Sequence, residues 1–129
     1  MTTPEYYLPI MPYIIVKEAE DFLKFLKNVF NAEEKIIIMR EDGKTIMHAE
    51  IAIGKAVIMF AETGVENYKP FPCSMFIMVQ EIDKIYHAAL ENGAKSLQQP
   101  SLLDYGRSAG FMDAFGNIWW LTRPIRNAK

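Results

Sequence analysis

Hydrophobic and polar positions along the chain fall into two series that resemble each other. Tyr13 to Val16 is a short apolar run and predicts a buried strand. Ala19, Phe22, Leu23, Leu26, Val29 and Phe30 then recur at helical spacing. Lys35 to Arg40 predicts a strand, and Glu41-Asp-Gly-Lys its turn, since Asp-Gly is a strong hairpin signal. Thr45 to Ile53 alternates, and Ala56 to Ala61 follows Gly54-Lys55 as a fourth strand. Thr63 to Cys73 carries Gly64, Pro70 and Pro72 and reads as a linker. The second series opens with Met75 to Val79. Ile82, Ile85, Tyr86, Ala89 and Leu90 form a helical stripe, with Gly93 placed to end it in the left-handed conformation. Lys95 to Gln98 predicts a strand and Pro100 to Gly106 a loop. Ser108 to Met112 and Ile118 to Leu121 then make a closing hairpin, turned at Asp113-Ala-Phe-Gly-Asn.

The resemblance between the series extends to single positions. Val16-Lys-Glu-Ala-Glu returns as Val79-Gln-Glu-Ile-Asp, and Gly54 returns as Gly116. A unit this short cannot bury a core alone, so two copies should pack together. The expected fold is α+β: two βαβββ modules forming a curved mixed sheet around a cleft, with the helices on the outer face. Module one covers about residues 10–62, the linker 63–73 and module two about 74–123, within a single domain at 1–129.

Composition narrows the function classes. Half the residues are hydrophobic, enough for a real core, and the formal net charge is −2. Charges of both signs are dispersed, without the basic patch that phosphate backbones require, so nucleic acid is not an expected partner. Charged residues interrupt every apolar run, so a membrane span is not expected. The start, Met1-Thr-Thr-Pro-Glu-Tyr-Tyr, does not read as a signal peptide, and the single cysteine, Cys73, fits a reducing cytoplasm. Eight methionines supply flexible thioethers, suited to adaptable binding surfaces.

Asp113-Ala-Phe-Gly-Asn-Ile-Trp-Trp-Leu resembles the DPFGNxWxL closing hairpin of the vicinal oxygen chelate superfamily. That superfamily includes glyoxalase I, extradiol dioxygenases, methylmalonyl-CoA epimerase, and the bleomycin- and fosfomycin-resistance proteins. Met47-His48-Ala49-Glu50-Ile51 with Ile53-Gly54, and Asp104-Tyr105-Gly106-Arg107, look like the signatures of its PhnB-like, glyoxalase-like branch. The resemblance runs from Pro12 to Thr122. Ala114 departs from the usual proline, which puts the stiffness of the turn in question. One fold of this kind hosts many chemistries, so the likeness speaks to fold before reaction.

Most enzymes of the superfamily hold a divalent ion with His and Glu from the first and last strands of each module. Carried over, those positions are Met11, Met59, Ser74 and Trp120. A shift of one in the first module gives Pro12 or Ile58 instead. None offers imidazole or carboxylate, so the resemblance implies a metal-free cleft without a cofactor. By alternation the cleft is expected to be lined by Met11, Tyr13, Ile15, Val57, Met59, Phe76, Met78, Ile118 and Trp120. Such an apolar, aromatic lining suits an organic ligand, with a closed core as the alternative.

His48 and Glu50 share one face of their strand, away from Ala49, Ile51 and Ile53. They form a candidate acid–base pair, with a solvated strand face or a dimer contact as the alternative. Tyr105 and Arg107 stand at the entrance to the closing hairpin, where a guanidinium can clamp an anion or stabilise the turn. His87 reads as solvated, and Cys73 has no neighbour that would make it a nucleophile. Two functions remain, with a purely structural dimer without ligand as a third alternative. The favoured one is a binding protein of glyoxalase/bleomycin-resistance type for a small organic molecule. The other is a metal-dependent lyase, isomerase or dioxygenase using His48 and Glu50. The superfamily resemblance also implies a homodimer, for which Tyr68, Phe71 and the linker are candidate contacts.

Overall fold

The computed structural model describes residues 2–64 and 69–125. The chain divides into two units, Met1–Pro72 and Cys73–Lys129. The first holds β1 (Tyr13–Val16), α1 (Ala19–Phe30), β2 (Glu33–Met39), β3 (Ile46–Ile53) and β4 (Ala56–Glu62). Its sheet runs β1-β4-β3-β2, with β1 parallel to β4 and the other pairs antiparallel. The second holds β5 (Ser74–Met78), α2 (Ile82–Glu91), β6 (Lys95–Leu103), β7 (Gly106–Met112) and β8 (Ile118–Pro124). Its sheet runs β5-β8-β7-β6 with the same directions. The repeat visible in the sequence is therefore a repeat of topology, and the fold is α+β.

In the first unit the apolar stripe of α1 buries Phe22, Leu26 and Val29 with Ile14, Val16, Ile51 and Phe60. The Phe22 and Phe60 rings meet edge to face, 4.9 Å apart. Each fully buried side chain of this size contributes about 1.5–3 kcal/mol. Asn31 ends α1 in the left-handed conformation, at φ 56°, which asparagine tolerates better than most residues. Gly93 takes that conformation after α2, at φ 95°.

In the second unit Ile82, Tyr86 and Ala89 are buried with Ala109, Phe111, Trp119 and Leu121. Strand β6 runs through residues expected to be loop. Proline prompted that expectation, but Pro100 lies within a register irregularity between Gln98 and Ser101. At such a place the missing N–H does not break the ladder. Gly106 opens β7 at φ 141°, and any Cβ there would lie 2.2 Å from the Arg123 carbonyl oxygen, so only glycine fits.

The closing turn is held by Asp113, which is 4% exposed. Its carboxylate accepts hydrogen bonds from the Phe115 and Asn117 amides (2.9 Å each), Asn117 Nδ2 (3.1 Å) and Trp119 Nε1 (2.9 Å). These bonds fix the turn with alanine at position 114. Burial pushes the Asp113 carboxyl up, against the pull of the bonds. Asp113→Ala leaves those donors unpaired and is expected to lower stability by about 2–4 kcal/mol, measured by urea unfolding. A loss within error would show that the turn holds without them.

Candidate functional site

Strand register places one polar row on the face of the first sheet opposite α1. Tyr13 pairs with Met59, Met59 with Glu50, and Glu50 with Ile36; His48 pairs with Ile38. The Tyr13 hydroxyl lies 2.9 Å from His48 Nδ1, and His48 Nε2 lies 2.7 Å from Glu50 Oε2. Two more hydroxyls converge on the same carboxylate. Tyr6 donates to Glu50 Oε1 at 2.5 Å, and Tyr7 donates to Glu50 Oε2. The segment before β1 thus covers Glu50, whose side chain is 1% exposed, while that of His48 keeps 22%.

Burial alone would push the Glu50 carboxyl up. Hydrogen bonds from His48, Tyr6 and Tyr7 outweigh it and hold the carboxyl below its ordinary value of 4.5. The same carboxylate pushes the Tyr6 hydroxyl up to about 12 and raises Tyr7. Ionised Glu50 has acceptors only, so the His48 proton belongs on Nε2. In the neutral imidazole Nδ1 then carries a lone pair that can accept the Tyr13 O–H. The chain of bonds runs from Tyr13 through His48 to Glu50.

Tyr13 also lines a cleft of about 720 Å³, together with Ile15, Arg40, Glu41, Asp42, Met47, Ala61 and Glu62. This volume falls within the ~300–1,000 Å³ of small-molecule sites. The floor is apolar, from Tyr13, Ile15, Met47 and Ala61, and one end is charged. Simple alternation from Ala49 and Ile51 would put Met47 on the helix side. Instead Ile38 pairs with His48 and Met39 with Ile46, so the register skips Met47. This irregularity re-aims Met47 into the cleft and turns Ile46 into the core, where it is 2% exposed. Asp42 fixes the adjoining turn by accepting from the Lys44 and Thr45 amides at 2.8 and 2.9 Å. Arg40 donates to the Glu62 carbonyl oxygen.

The other expected site residues lie in the second unit. Phe76 and Met78 project from β5 with 63% and 67% exposure. On β8, Trp119 is buried at 1% and Trp120 is 36% exposed, so alternation assigned the two indoles to opposite faces. Trp120 pairs with Gly110, whose missing Cβ leaves room for the indole: a Cβ there would come within 2.4 Å of the ring. Tyr105 is exposed. Arg107 forms a two-pronged ion pair with Asp83, at 2.7 and 2.8 Å. The structure therefore gives this guanidinium a partner within its own unit, and a ligand anion would have to displace Asp83. His87 is exposed and stands edge-on to Tyr86.

Sequence reasoning missed Tyr6, Tyr7, Arg40, Asp42 and Glu62. The two tyrosines precede the first strand in a stretch without periodicity; Asp42 reads only as part of a turn, Arg40 as the end of a strand and Glu62 as the end of the first module. Among the described residues, no three His, Cys, Asp or Glu side chains come together as a metal site. Met59 and Trp120, the positions that the superfamily resemblance assigns to metal ligands, carry a thioether and an indole, groups that hard divalent ions do not favour.

The sequence matches the profile of the glyoxalase/bleomycin resistance protein/dioxygenase superfamily over residues 7–121. The chain belongs to that superfamily. No curated protein sequence matches it. Among solved structures it is similar to TioX from Micromonospora sp. ML1, at 18% identity and a TM-score of 0.74, covering 92% of this chain and 100% of that one. It is similar to a PhnB protein from Bacillus cereus, described as a putative 3-demethylubiquinone-9 3-methyltransferase. That match has 19% identity, a TM-score of 0.75 and coverage of 90% and 99%. FosX from Listeria monocytogenes, a fosfomycin resistance protein complexed with Mn(II) and sulfate, matches at 21% identity with a TM-score of 0.67, covering 90% and 89%. At these identities the likeness is one of fold.

Proposed function

We propose that this superfamily member is a metal-free binding protein for a small organic molecule, held in the cleft of the first unit. The observation that carries this reading is the cleft itself, with a floor of Tyr13, Ile15, Met47 and Ala61 and charge confined to one end. An apolar or aromatic body fits such a floor by stacking and dispersion. Met59 continues the Tyr13 row, and Phe76, Met78 and Trp120 give the second unit an apolar face of the same chemistry. These remain candidate ligand contacts.

A metal-dependent reaction is the competing reading, since FosX was solved with Mn(II). It would draw on His48 and Glu50. Glu50 is almost wholly buried and already accepts from Tyr6, Tyr7 and His48, which fits an orienting role better than that of a metal ligand. The test is a thermal-shift titration of chelator-treated protein with N-phenyl-naphthylamine, and separately with Mn(II) and Zn(II). Ligand binding to the folded state raises apparent stability with ligand concentration. The expected result is stabilisation by the aromatic probe alone, lost in Met47→Arg. Stabilisation by metal alone, removed by His48→Ala, would reverse the choice.

A homodimer is part of the same reading. Phe71 is 75% exposed beside β1, whereas Tyr68 lies outside the described residues. Strands β2, β5 and β6 have ladder partners on one side only among the described residues, and such edges need covering. Sedimentation velocity at micromolar concentration is expected to give a dimer; a monomer alone would count against it.

A further inference from the structure

We infer that the cleft is built to take a proton from its ligand, through a relay that runs from Tyr13 to His48 to Glu50, so that the ligand is a weak acid of phenol-like chemistry. This rests on the cleft being a ligand site. Among the described residues, Tyr13 both lines the cleft and reaches the polar row, 2.9 Å from His48 Nδ1. His48 is oriented by Glu50 at 2.7 Å, and Glu50 is fixed by Tyr6 and Tyr7. The order hydroxyl, imidazole, carboxylate is the one that activates an oxygen toward proton transfer in the Ser-His-Asp arrangement. Here the hydroxyl belongs to a tyrosine that is 48% exposed and stands over an apolar floor.

With its own proton donated to Nδ1, the Tyr13 oxygen presents lone pairs as acceptors. A ligand O–H can donate to it. When that proton moves to the Tyr13 oxygen, the original Tyr13 proton moves to Nδ1. The products are a ligand anion, a neutral tyrosine and an imidazolium held against the Glu50 carboxylate. No atom or electron is left over, and the reverse transfer restores the start. Glu50 stabilises the imidazolium without itself being protonated. Among the cleft-lining groups Arg40 is the cation, while Glu41, Asp42 and Glu62 gather at its end and disfavour an anion there. The acidic group of the ligand therefore belongs at the Tyr13 end, with its apolar body along Ile15, Met47 and Ala61.

The experiment compares para-nitrophenol with para-nitroanisole, which has the same ring and no acidic proton. Both are titrated against the full chain at a pH below the solution pKa of the phenol, with absorbance reporting phenolate. The expected result is that both bind and that the phenol gains phenolate absorbance on binding. Tyr13→Phe and His48→Gln should abolish that absorbance. Tyr13→Phe should also weaken the phenol about tenfold more than it weakens the anisole. Tyr13 is half-exposed, so Tyr13→Phe is a safe variant if His48→Gln fails to fold. Binding of both compounds with no phenolate, and equal affinity in Tyr13→Phe, would overturn the relay and leave the binding site standing. Failure of both compounds to bind would overturn the site and the relay with it.

Discussion

Trp119→Ala is expected to destabilise the protein by about 3–5 kcal/mol, and Trp120→Ala by about 1 kcal/mol or less. The two indoles are neighbours in sequence and differ only in the face they occupy. Trp119 is 1% exposed, packs with the α2 side of the second sheet, and donates its Nε1–H to Asp113 Oδ2 at 2.9 Å. Its loss opens a cavity and strands part of the turn. Trp120 is 36% exposed and lies over Gly110, so its removal uncovers backbone without emptying the core. Chemical denaturation of both variants gives the comparison. Equal losses, or a larger one at Trp120, would mean that β8 presents the opposite face to the core.

Glu50→Ala should cost about 2–4 kcal/mol at neutral pH, because it removes the shared acceptor of three donors. The pH dependence has a definite sign. Glu50 is held below 4.5 when folded, so around and below that pH the folded state binds fewer protons at this site than the unfolded chain. Its stabilisation is present above about pH 4.5 and is lost as pH falls through the lower folded value. Tyr6 gives the alkaline counterpart. Its hydroxyl is raised from 10.0 to about 12, so its contribution is present below 10 and lost as pH rises toward 12. Stability measured from pH 3 to 7 should fall more steeply on the acid side for the wild type than for Glu50→Ala. The variant should also be cut faster by protease near Leu8 and Ile10, which are exposed beside the tyrosine pair. Identical acid limbs would show that the carboxylate is not the anchor of this segment.

The parts legible in the sequence were those governed by period. Both helices, the βαβββ succession of elements in each module, and the opposed faces of Trp119 and Trp120 follow from spacings of three to four and of two. Gly93 was readable because a left-handed residue after a helix favours glycine. Three features escaped for physical reasons. The irregularity at Met47 adds one residue to β3 against its neighbour, and no local pattern marks it. Proline cannot donate to a ladder, so Pro100 signals a loop, yet it sits where the ladder is already irregular. The pairing of Tyr6 and Tyr7 with Glu50 spans more than forty positions through side chains alone, and no periodicity reports such contacts. His48 and Glu50 were visible as a pair on one face; their connection to Tyr13 needed the register of three strands.

The most direct measurement is a methyl NMR titration of protein carrying isotope-labelled methionine methyls, in the presence of chelator, with N-phenyl-naphthylamine as the probe. Met47 is the reporter, because strand irregularity alone puts it in the cleft. Metal-free binding on the floor of Tyr13, Ile15, Met47 and Ala61 predicts a saturable shift of the Met47 methyl that follows the fluorescence of the probe. A Met47 resonance that stays fixed while the probe binds, or that moves only after Mn(II) or Zn(II) is added, would contradict it.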